Sequence, residues 1–131
     1  MYLTVLNDKE KKAFLNLASQ IIDADQVVSN KELGMLNAMK IELQVNDFSP
    51  DEFGIVELCE QITNKQSQIA TMIELIGLAY SDGTIADSEM DIIIKVANCF
   101  GISELQIDEY KEWVMKMLDL TNQGYCFFAE N

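Results

Sequence analysis

The sequence predicts an all-α, single-domain helical bundle of about six to seven helices with two pseudo-repeated helical hairpins. Three observations predict it: apolar residues recur at helical spacing along most of the chain, one proline and six glycines leave few breaks, and the chain matches itself at an offset of 57 residues. At 131 residues, about half of them apolar, the chain is one ordinary domain, 1–131. A domain of this size buries roughly two thirds of its unfolded surface without disulfide or metal staples.

The first helix, over about 8–23, is placed by Phe14, Leu17, Ala18, Ile21 and Ile22, with Asn7 and Glu10 spaced as a capping pair at its start. A second begins at Ser29, where Ser29 and Glu32 form a capping box. It turns Leu33, Leu36, Met39 and Leu43 inward and stops near Gln44. The third start combines Ser49 as N-cap, Pro50 at the first helical position, Glu52 at the third, and Phe48 placed to staple against Phe53. Ile55, Leu58, Cys59 and Ile62 are its inward stripe, with Cys59 a small buried hydrophobe.

Over about 66–81, Ile69, Met72, Ile73, Ile76, Ala79 and Tyr80 make one stripe while Leu75 and Leu78 add a second, which predicts a central helix packed on more than one side. The helix over about 87–100 is also broadly apolar and meets Gly101 as a left-handed cap, so these two form the core hairpin. The last helix, about 103–120, starts at Ser103 with Gln106 in the capping-box position and buries Tyr110, Trp113, Val114, Met117 and Leu118. Beyond it Tyr125, Phe127 and Phe128 lie in an apolar tail expected either to dock on the bundle or to present a partner-binding tip, with docking the leading reading.

Composition excludes several function classes. There are 22 Asp and Glu against nine basic residues, all Lys, for a net charge of −13. Nucleic acids and anionic membrane surfaces would be repelled, so the expected partners are cations: a protein with a basic patch, or metal ions. The absence of His and Arg removes imidazole bases, His metal ligands and bidentate phosphate clamps. Cys59, Cys99 and Cys126 are odd in number and widely spaced, which signals neither a disulfide framework nor a zinc site. No secretory h-region and no membrane-length apolar run occurs, so a cytoplasmic protein without membrane insertion is expected.

The self-match sets Leu15 over Met72, Ile21 over Leu78, Asp25 over Asp82, Val28 over Ile85, Glu32 over Glu89, Leu36 over Ile93, Met39 over Val96 and Leu43 over Phe100. It defines one hairpin over about 8–44 and another over about 66–102, each turning through an acidic loop, 25–32 and 82–89. In the second loop Asp82, Gly83, Ile85 and Glu89 match four positions of a calcium-binding EF-hand. The first and third ligand positions, however, fall on Leu78 and Tyr80, which offer no carboxylate. Gly83 as the turn residue, with Glu32 and Glu89 as caps, is the structural reading of the same residues. A looser Ca²⁺, Mg²⁺ or Mn²⁺ site would pool Asp25, Asp82, Asp87 and Glu89 if the loops lie close together. No other cofactor is indicated.

The segment 75–89, LIGLAYSDGTIADSE, followed by an apolar helix and Phe100-Gly101-Ile102-Ser103, resembles the TerB-like family of tellurite-resistance proteins. There a helix ends in Ala-x-x-Asp-Gly, and an apolar residue, acidic residues and a Glu open the next helix. The first half departs from this pattern, because no glycine follows Asp25. The resemblance spans about 14–117 and implies a helical bundle of two pseudo-symmetric halves, no enzymatic activity, and a role in metal sensing or protein assembly in stress-response systems. Its acidic positions carry over as Asp25, Glu32, Asp82, Asp87 and Glu89, and its glycine as Gly83. The expected function is a non-enzymatic interaction module whose acidic loop face, built from those six residues, meets a basic partner. The alternative is a divalent-metal-binding or metal-sensing domain.

Overall fold

The computed structural model describes residues 2–24, 29–45, 48, 50 and 53–129, with only the backbone of Asp82. Among them are a 3-10 turn, Leu3–Val5, and six α-helices: α1 (Asp8–Ala24), α2 (Asn30–Leu43), α3 (Ile55–Cys59), α4 (Lys65–Ala79), α5 (Asp87–Phe100) and α6 (Glu104–Ala129). A second 3-10 turn, Tyr80–Asp82, extends α4. Between them these elements bring the chain into an all-α bundle.

α4 is central, touching α1, α2, α5, α6 and both 3-10 turns. Its two apolar stripes account for this: Met72, Leu75, Ile76 and Leu78 are completely buried, which a helix with a single inward face could not achieve. Phe14, Leu15, Leu17 and Ile21 of α1 and Ile93 and Val96 of α5 complete the inner core.

The offset of 57 residues separates matching elements. α1 and α4 start at Asp8 and Lys65, and α2 and α5 run Asn30–Leu43 and Asp87–Phe100. Both α2 and α5 end on a left-handed residue, Gln44 at φ 59° and Gly101 at φ 70°. The following amide closes each helix in the same way, Val45 N–H donating to the Lys40 carbonyl at 3.0 Å and Ile102 N–H to the Ala97 carbonyl at 2.9 Å. Where the first helices of the two hairpins meet, the Ser67 hydroxyl donates to the buried Glu10 carboxylate at 2.9 Å, and these two residues are themselves 57 apart. Glu10 also accepts from the Asn7 amide while Asn7 Oδ1 accepts from the Glu10 amide, each at 2.9 Å. One carboxylate thus caps α1 and ties it to α4.

Several expectations are corrected, among them Leu33, which stays 45% exposed on α2. The third helix begins at Ile55 behind Gly54, so Phe53 lies outside it; Ser49 and Glu52 fall outside the described residues. Glycine's low helix propensity separates the Pro50 signal from the apolar stripe, leaving a five-residue helix held by Leu58 and Cys59. Phe48, instead of stapling the third helix, lies beneath the Lys40 ammonium, 5.5 Å from its ring centre. Finally, α6 runs through the supposed tail to Ala129, and Tyr125, Phe127 and Phe128 stay on its exposed surface at 66%, 70% and 77% exposure. Within α6 only Ile107 and Val114 are buried; Tyr110, Met117 and Leu118 are half-buried and Trp113 is exposed.

Candidate functional site

The residues singled out in the two acidic loops separate by role. Gly83 sits at φ 92°, a left-handed conformation that glycine adopts without Cβ strain, and its amide donates to the Tyr80 carbonyl at 2.8 Å to close the 3-10 turn. Asp87, the first residue of α5, is exposed, where its charge favours the helix start. Glu32 and Glu89 point inward and are only 2% and 3% exposed. Asp25 and the side chain of Asp82 lie outside the described residues.

Both buried glutamates are helix caps. Glu32 Oε1 accepts from the Ser29 amide at 3.3 Å and from the Ser29 hydroxyl at 3.2 Å, while Ser29 Oγ accepts from the Glu32 amide at 3.0 Å. This is a complete reciprocal box. Glu89 Oε1 accepts from the Ala86 amide at 3.0 Å, but alanine offers no oxygen in return, so the second box is half made. Glu32 Oε2 is buried with no hydrogen-bond partner among the described residues. Among the described residues no three Asp, Glu, Cys or His side chains gather in a way that could hold a metal ion.

The outward side of the second loop forms part of a cleft of about 660 Å³ between the start of α2, the Tyr80–Asp82 turn and α6. Gly83 and Ser81 line one wall, Lys31 and Met35 another, and Met115, Leu118, Asp119 and Tyr125 the third. Ser81 Oγ is buried and has no hydrogen-bond partner among the described residues. The outer part of α6 leaves Leu120, Tyr125, Phe127 and Phe128 exposed, and of these Tyr125 lines the cleft. The rings of Tyr125 and Phe128 pack one helical turn apart, 6.3 Å between centres.

The family described as tellurite resistance protein TerB matches residues 37–112, more than half of the chain. The chain belongs to the TerB family. The match to TerB holds Asp82, Gly83, Asp87 and Glu89, whereas Asp25 and Glu32 precede it. No curated protein and no solved structure matches the chain.

Sequence reasoning missed the outer part of the α6 wall, Asn122 and Tyr125, because residues 121–129 show no clear apolar period. The available signal was the absence of any proline after Ser103. Nothing in the cleft supplies an activated nucleophile. Cys59 is buried between helices, and that burial first, then the neighbouring Cys99 thiol, pushes its pKa from 9.0 up to about 12. Cys99 and Cys126 are exposed and free. Among the described residues no helix is long and apolar enough to cross a membrane.

Proposed function

We propose that this TerB-family chain is a non-enzymatic protein-interaction module of a tellurite-resistance or stress-response type system. It docks a basic, partly apolar partner segment on the face that joins the Gly83 cleft to the outer end of α6. The observation that carries this reading is Tyr125, an exposed ring that lines the cleft and packs against the exposed Phe128, in a chain of net charge −13. Large apolar groups left in water on a helix end mark a contact surface, and surrounding acids select a cationic partner and speed its approach.

The acidic part of the face narrows to groups that reach solvent. Asp87 and Asp119 are exposed, Asp119 in the cleft lining, while Glu32 caps α2, whose start frames the cleft. The same burial weighs against the divalent-metal reading, since Glu89 already serves as a cap and Asp87 faces water.

The test is affinity capture with the purified chain, followed by binding measurements on the recovered partner. Binding is expected to weaken steeply as salt rises from about 50 to 300 mM, as surface charge is screened. Asp87→Asn with Asp119→Asn is expected to weaken it further. A partner whose affinity ignores both salt and the double change would sink the proposal.

A further inference from the structure

A second concavity, of about 630 Å³, lies between the first 3-10 turn, α4 and α6. At about 100° per residue along a helix, its α6 residues Glu109, Tyr110 and Trp113 fall on the side opposite Met115, Leu118, Asp119 and Tyr125. The two sites therefore share a helix but no wall.

Three aromatic rings line this pocket, Tyr2, Tyr110 and Trp113, over an aliphatic floor that includes Ile69 and Ile73. Tyr2 and Trp113 are tilted against each other at 52° with 5.7 Å between centres, and both line the cavity. The Tyr2 amide donates to Glu74 Oε1 at 2.9 Å, which fixes the chain start against α4 and holds that ring in place. Glu109 is the one charged side chain lining the pocket among the described residues, and it is exposed. The phenol of Tyr110 stays neutral to higher pH than usual, because of burial and then the adjacent Glu109 charge.

We infer that this pocket binds the alkylammonium end of a lysine side chain from a partner protein, with the ammonium among the ring faces and Glu109, and the carbon stem along Ile69 and Ile73. Electron-rich ring faces attract a cation, and tryptophan does so best. The compact lysine head on a long apolar stem suits a mouth with one carboxylate and an aliphatic floor. The stem packs along apolar surface while its head stays at the wet mouth. No lysine of the chain lines the pocket among the described residues, so the negative wall is not neutralised from within.

Trp113 is the one tryptophan in the sequence, so its fluorescence reports on this pocket directly. The probes are N-acetyl-lysine N-methylamide and its uncharged analogue N-acetyl-norleucine N-methylamide. The lysine derivative is expected to shift Trp113 emission saturably, and the norleucine derivative to bind at least about five-fold more weakly, the range of an exposed to partly desolvated cation–π contact. Glu109→Gln should weaken the lysine derivative about three- to ten-fold and leave the norleucine derivative unchanged. Trp113→Leu, followed by calorimetry, should abolish the preference for the cation while its melting temperature reports that the fold is intact. Equal binding of the two probes, or no saturable shift up to about 50 mM, overturns the inference. Because no probe or variant touches the Gly83 cleft, that outcome leaves the docking face at the other side of α6 standing.

Discussion

The α1–α2 and α4–α5 hairpins place matching helices at matching positions but secure them at opposite ends. In the first, the start of α2 has a complete box between Ser29 and Glu32, while its end forces a glutamine, Gln44, into a left-handed conformation. In the second, the start of α5 has half a box, Glu89 on Ala86, while its end uses a glycine, Gly101, suited to that backbone. Each copy is thus well made where the other is compromised. The constant element is the inward glutamate, so the shared position of Glu32 and Glu89 serves a helix start in both copies.

The glutamates should give the largest effects. Removing a charged acceptor from a buried amide costs about 1.5 to 3 kcal/mol, so Glu32→Ala and Glu89→Ala are each expected to destabilise by about 2 kcal/mol in urea melts. A change near zero at both positions would break the comparison. Next come the helix starts: Ser29→Ala should cost about 1 kcal/mol and Ala86→Ser should gain about 0.5 to 1 kcal/mol, making each hairpin resemble the other. Smaller again, Gln44→Gly should gain about 0.5 kcal/mol by relieving the left-handed strain, and Gly101→Ala should lose about 1 kcal/mol.

The cysteines sharpen the contrast between core and surface. A thiol reagent at pH 8 should modify Cys99 and Cys126 and spare Cys59 until the chain unfolds. The folded state holds the Cys59 proton more tightly than the unfolded chain does. That stabilisation is therefore complete below pH 9.0 and fades as pH rises toward about 12, so stability falls through that window. Cys59→Ala should flatten this part of the pH dependence.

Most of the bundle was legible because its signals were local and agreed with one another. The stripe from Phe14 to Ile22, the box at Ser29, the two stripes of α4 and the Gly101 stop each name an element whose burial satisfies them. The third helix was misplaced because Ser49, Pro50 and Glu52 carry a strong start pattern, whereas Gly54 sets the start that the buried stripe can use. The end of α6 was misjudged for a different reason. An apolar period reports burial, and the helix continues without burial: the Thr121 hydroxyl donates back to the Met117 carbonyl at 2.8 Å, no proline interrupts, and the aromatic side chains remain in water. Sequence spacing likewise placed Glu32 and Glu89 in acidic loops without showing which way they face. Capping turned them inward, whereas Asp87 and Asp119 stay exposed.

The most direct test of the docking face is the affinity of a captured partner for the Tyr125→Ser, Phe128→Ser double variant. Both side chains project from the exposed end of α6, so the melting temperature should not move. The predicted result is an affinity loss of at least about ten-fold with unchanged stability, as expected for truncated aromatic anchors. Unchanged affinity at unchanged stability would contradict the claim that this TerB-family chain works through the outer end of α6.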